Sequence, residues 1–301
     1  MVGDELFAAQ RALLSKVYLQ GYKDFFSCHS SYYKRPELVI LVGGRHYIDG
    51  LATCNKLYCS HYVKSYLFKA SQDMAKVNKF IQKERFRPTM MTLTFPHKAT
   101  DNLKDLKVVL DKATRGFLAE SRNKLVKKIN QSVGSTGYIL RNEISWNESN
   151  GWNTHAHVLN LQASDFTEIQ KNQLVDEFAH QLEYSGFYFN RLDRYNIKNK
   201  GGLIHFRESS FDATYLSKYD EDNPVNLAIT RPEKYVEFAQ SFNTSAKISL
   251  IKFKNGLKSR MGISKEKNQR EELRRIKIPE FLINQSPEYI EEWLQKELTC
   301  S

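Results

Sequence analysis

The chain has 301 residues, 41% hydrophobic and 12% aromatic, enough for one large core or for a catalytic domain with smaller flanking pieces. Its net charge of +11 points to a polyanionic partner, either nucleic acid or an anionic membrane surface. No apolar run approaches transmembrane length, no secretory signal opens the chain, and four irregularly spaced cysteines make no disulfide framework, so a reduced, cytoplasmic protein is expected.

From Asp4 to about Lys23, Leu6, Phe7, Leu13, Leu14, Val17 and Tyr18 recur at helical spacing and predict a helix with one buried face. The run Leu38 to Val42, ended by Gly43 and Gly44, predicts a buried strand or a short helix. Cys54, Cys59 and His61 then lie close together in sequence, which suggests a structural zinc site. Cys28 is the first choice for a fourth ligand, with His29 and His46 as alternatives, and two buried thiols are the competing reading. A charged helix follows from about Tyr62 to Glu84.

Pro88 to His97 reads as a strand closed by proline, with Thr92 and Thr94 on one face and Met91, Leu93 and Phe95 on the other. The spacing of Leu103, Leu106, Leu110, Phe117, Leu118, Leu125 and Ile129 predicts a single helix from Asn102 to near Ser132. Tyr138 to Trp146 is the next strand, with Arg141 and Glu143 on the face opposite Leu140 and Ile144. A turn over Asn147 to Gly151 returns the chain into a strand ending near Leu161, so the two form an antiparallel hairpin. Side chains alternate on a strand, so His155 and His157 point the same way and can hold a divalent metal. Glu143 on the partner strand is then placed as a third ligand. The competing reading is a solvated histidine pair and a surface Glu143 paired with Arg141.

Phe166 to about Tyr184 predicts a helix, and Phe187 to Phe189 and Leu203 to Phe206 two more strands around the basic segment Arg191 to Lys200. Ser209 or Ser210 is expected to cap a helix through Tyr215, Lys218 and Tyr219, ended by Asn223 and Pro224. Between Lys247 and Lys277 stand 11 Lys/Arg and 3 Glu, a net of +8. This asymmetry marks Lys252, Lys254, Lys258, Arg260, Arg274 and Arg275 as expected contacts to a DNA backbone.

Three stretches in this order resemble the HUH endonucleases, specifically the rolling-circle replication initiators of small plasmids and single-stranded DNA phages. They are Met91-Thr92-Leu93-Thr94, the run Gly151 to Leu159 containing His155-Ala156-His157, and the run Ala213 to Tyr219. Together they cover roughly residues 88 to 222. The resemblance implies an α+β fold: a central antiparallel sheet carrying the His-x-His strand, flanked by helices. It implies a nicking domain over 85–223; the flanks carry no family motif, and their residues alone predict a helical Cys/His element over 1–84 and a basic DNA-binding extension over 224–301. It also implies a catalytic Mn2+ or Mg2+ on His155, His157 and Glu143, with Tyr215 as nucleophile. Lys218 would stabilise the phenolate or the phosphate, and Tyr219 would be a second nucleophile; the alternative is Tyr219 as the one nucleophile, since some plasmid initiators align their single tyrosine with a preceding lysine and Lys218-Tyr219 fits that pattern. A lysine three residues beyond the second tyrosine is often found in two-tyrosine initiators, but Asp222 stands there in this chain. The partners so implied are origin DNA, nicked as a single strand or hairpin, and a host helicase and polymerase, with no membrane. A transposase or relaxase using the same site is the neighbouring alternative. A non-enzymatic DNA-binding protein is the alternative from a different class.

Overall fold

The computed structural model describes residues 2–16, 32–41, 46–51, 54, 56–188, 202–208, 212–218, 223–242, 251–254, 256–263, 272–277, 293 and 296. The strands are β1 (Tyr32–Leu41), β2 (His46–Leu51), β3 (Arg87–Leu93), β4 (Gly137–Asn147), β5 (Gly151–Gln162), β6 (Ile204–Glu208), β7 (Ile251–Phe253) and β8 (Glu272–Lys277). The helices are α1 (Val2–Lys16), α2 (Ser60–Glu84), α3 (Leu103–Leu118), α4 (Lys124–Ser132), α5 (Glu168–Tyr184), α6 (Leu227–Thr230), α7 (Pro232–Phe242) and α8 (Leu257–Arg260). Short 3-10 helices occupy Ala213–Ser217 and Pro224–Asn226.

The chain forms two units. One joins Met1–Leu19 to Asn55–Ser264; the other joins Gln20–Cys54 to Lys265–Ser301. The second unit holds a three-stranded sheet in the order β2-β1-β8, so the Leu38 run is a strand. The first unit is α+β, with a five-stranded antiparallel sheet in the order β6-β3-β5-β4-β7 flanked by helices. Helix α2 and the segment up to Ser264 belong to this unit, along with the strands of the 85–223 region.

The β4–β5 hairpin pairs Glu143 with His155 and Arg141 with His157. Its turn needs glycine: Gly151 has φ +68°, and a Cβ there would fall 2.4 Å from the Ala99 carbonyl oxygen. Asn147 Oδ1 accepts the Asn150 N–H at 2.8 Å and closes the turn. One face of the sheet, with Met90, Ile139, Leu159 and Leu161, packs under the α2 stripe Ala70, Met74, Val77 and Ile81 and under Ala213 and Leu216. Helix α2 ends with Arg85 in the left-handed region, its N–H bonded back to the Ile81 and Gln82 carbonyls.

Four sequence expectations are corrected. The helix from Asn102 to Ser132 is two helices, because Asn123 caps a new start by accepting the Val126 N–H. Phe187 and Tyr188 are not strand; Phe187 turns its ring edge onto Phe95, and Phe189 lies outside the described residues. The helix through Tyr215 is one 3-10 turn capped by Asp212, which accepts the Thr214 N–H, while Ser209 and Ser210 lie outside the described residues. That turn ends at Ser217, and Lys218 is already extended, so Lys218 is not one helical turn along from Tyr215. The first helix is described to Lys16, and its expected continuation to Lys23 lies outside the described residues.

Candidate metal centre and active site

Strand alternation and antiparallel register bring Arg141 and Glu143 of β4 and His155 and His157 of the middle strand β5 onto one face of the sheet. His157 Nε2 lies 3.0 Å from Glu143 Oε2, and His155 Nε2 lies 3.7 Å from Glu143 Oε1. The two imidazoles meet edge to face at 4.7 Å between centroids. One ligand atom from each of Glu143, His155 and His157 lies within 4.8 Å of the other two, and Glu143 and His155 are partly buried and His157 buried. Ligands at about 2.1 Å from one metal ion are separated by about 3 to 4 Å, so this group needs only small side-chain adjustments to hold an ion. Among the described residues it is the one group of three His, Cys, Asp or Glu side chains so gathered.

The protonation states suit that use. Burial alone would raise the Glu143 carboxyl, but the His157 hydrogen bond, the Arg141 guanidinium and the two imidazoles outweigh it and hold it at about 2. Burial, together with neighbouring His157 and Arg141, pushes His155 down to about 4 against the opposing pull of Glu143. At neutral pH the carboxylate is therefore ionised and the His155 ring neutral, which is the state that donates electron pairs to a cation.

Two residues around the centre were not assigned these roles by sequence. Thr92 Oγ1 lies 3.0 Å from His157 Nδ1. In the neutral ring Nε2–H donates to Glu143, so Nδ1 accepts the Thr92 hydroxyl; an ion bound at Nε2 would leave the proton on Nδ1, with Thr92 as acceptor. Their register signals this contact, because Thr92 sits opposite His157. Arg141 is buried and is not a mere surface partner for Glu143. Its Nη1 donates to the Tyr215 carbonyl at 3.0 Å and its Nη2 to the Lys218 carbonyl at 3.1 Å. Its guanidinium also stands 3.8 Å from Glu143 Oε2. Strand β4 thus ties the Tyr215 turn to the centre, and the Tyr215 ring lies edge-on to His157 at 5.6 Å while staying 40% exposed.

Other expected site residues are distributed differently. Lys218 is exposed beside Tyr215, and Tyr219 lies outside the described residues. Cys54 and Cys59 are buried, Cys54 in the second unit and Cys59 in the first, and His61 stacks edge-on against Phe7, while Cys28 lies outside the described residues. Lys254 pairs with Glu120 and Lys258 with Asp73, while Arg260 donates to the Thr136 carbonyl at 3.4 Å. Lys252 is exposed on β7. Arg274 and Arg275 lie on β8, in the other unit.

The chain matches no protein-family model, no curated protein and no solved structure. No described helix is long and apolar enough to cross a membrane.

Proposed function

We propose that the chain is an HUH-type nicking-closing endonuclease that initiates rolling-circle replication at an origin. The convergence of Tyr215 on the group Glu143, His155 and His157 carries this reading. A divalent ion on these three residues, manganese in preference to magnesium given two imidazole donors, would act as a Lewis acid on the non-bridging oxygens of the scissile phosphate. Arg141 holds the Tyr215 backbone, so the phenol is presented at a fixed height above the sheet. Tyr215 Oη forms a bond to phosphorus as the P–O3′ bond breaks; the phenol proton leaves Oη, and the departing 3′ oxygen ends as a hydroxyl.

The product is a 5′-phosphotyrosine and a free 3′ end for a host polymerase, with a host helicase opening the duplex. The phosphotyrosine keeps the ester energy, so a later 3′-hydroxyl reverses the step and joins ends. Lys218, exposed beside the turn, is the proposed cation for the developing phenolate or the phosphate. Tyr219 is the proposed second nucleophile, and the basic residues of 247–277 the proposed backbone contacts.

The test is incubation with a pool of single-stranded oligonucleotides and Mn2+, scored for a covalent adduct on a denaturing gel and mapped by peptide mass. The expected adduct is on Tyr215, and it disappears in Tyr215→Phe and in the His155→Ala, His157→Ala double variant. Undiminished adduct formation by a folded double histidine variant would overturn the proposal.

A further inference from the structure

One row of register partners runs across four strands of the sheet: Arg141 on β4, His157 on β5, Thr92 on β3 and His205 on β6. Directly paired residues in antiparallel strands put their side chains on one face. His205 therefore shares the face of the candidate metal centre, on the strand that ends the sheet among the described residues. Arg207, two residues along and paired with Met90, shares it too. Both are exposed. The intervening residues of β6 face the other way: Phe206 turns its ring edge onto Phe166, and Glu208 pairs with Lys171 at 2.8 Å. The acidic group of the strand is thus engaged on the opposite face, and the two hydrogen-bond donors stand on the candidate active face.

We propose that His205 and Arg207 form a second phosphate-binding site, for the backbone of single-stranded nucleic acid continuing from the scissile phosphate. The inference rests on the phosphodiester reading of the centre. A polymer with one phosphate at Glu143, His155 and His157 must continue past it. Tyr215 stands over His157, with its turn held by Arg141 on the β4 side. The strand leaving on the other side crosses Thr92 and reaches β6, where neighbouring strands spaced about 4.8 Å apart set the step. A guanidinium there takes a phosphate in fork geometry, and an imidazole N–H adds a donor.

The experiment uses the full chain in EDTA with fluorescein-labelled oligo(dT), read by anisotropy over a series of salt concentrations. Arg207→Ala is expected to lower the slope of log K against log salt by about 0.7, the value for one phosphate neutralised on a single strand. His205→Ala is expected to weaken binding at each salt concentration, and both variants should keep the wild-type thermal melt and Mn2+ affinity. Wild-type slope and affinity in the double variant, or no oligo(dT) binding by the wild type, would overturn the proposal. The adduct assay separates the two readings. Wild-type protein that binds through β6 but forms no adduct fails the nuclease reading alone, whereas adduct formation with an unchanged slope in the variants fails the β6 site alone.

Discussion

At the scale of single residues, the centre is set by three side chains whose charge states depend on one another. Glu143 is held at about 2 against an ordinary 4.5, and His155 at about 4 against 6.5. Both folded values are depressed, so both groups contribute stability that is present above the unfolded values and lost as pH falls through the folded ones. For His155 the loss runs from pH 6.5 down to about 4, and for Glu143 from 4.5 down to about 2. Thermal melts in EDTA should therefore fall steadily below pH 6.5, and His155→Asn should flatten the upper part of that limb. An unchanged limb in the variant would remove His155 as its source. Thr92 gives a second expectation. Thr92→Val keeps the shape of the strand and removes the partner of His157 Nδ1. Removing such a hydrogen bond behind a ligand weakens metal binding by about 10- to 100-fold. Titration of Mn2+ followed by electron paramagnetic resonance reads this directly, and equal affinity in the variant would deny Thr92 its part.

At the scale of elements, the β4–β5 hairpin and the Tyr215 turn do the positioning. The hairpin was legible because its signals are local: alternation along each run, and a turn ending at Gly151. The site residues on it were legible for the same reason, since period two alone puts His155 and His157 together. The break between α3 and α4 was not, because the apolar spacing of Leu118, Val126 and Ile129 continues across it while Asn123 spends its side chain on the Val126 N–H. The 3-10 turn at Tyr215 reads as a longer helix in the sequence, since a composition that suits one helix type suits the other, and its fixed end depends on the distant Arg141. Arg141→Met is expected to release both carbonyls and misplace the phenol. A displacement of about 1 Å at a reacting group costs on the order of 100-fold in rate. Adduct formation should fall by that order while Mn2+ affinity holds or rises, because a cation competing for Glu143 is gone; parallel losses would make Arg141 a folding residue instead. Gly151→Ala, with its left-handed backbone and the Ala99 carbonyl in the way, should cost roughly 1 to 3 kcal/mol in urea denaturation.

At the scale of the whole molecule, the +11 charge is not a single tail laid against solvent. The basic stretch from Lys247 to Lys277 contributes to both units. Lys254 and Lys258 are in the first unit and are partly spent on Glu120 and Asp73, and Lys254 also lies over the Tyr138 ring at 5.8 Å. Their charges help hold the edge of the sheet at β7 and α8 and are partly neutralised there. Arg274 and Arg275 are on β8 in the second unit, in register with Ile40 and Val39 of β1. Deleting the stretch would therefore strip β1 of a partner strand and confuse folding with binding. Charge-neutral substitution avoids this. Lys252→Gln with Arg274→Gln and Arg275→Gln should lower the slope of log K against log salt on single-stranded DNA by about 0.7 for each phosphate no longer neutralised. Lys254→Gln with Lys258→Gln should change that slope less and lower thermal stability instead, because Glu120 and Asp73 lose their partners. A larger slope change from the Lys254 and Lys258 pair than from the other three would show that the paired lysines give up their carboxylates for phosphate, and would move the proposed DNA contact to the β7 edge.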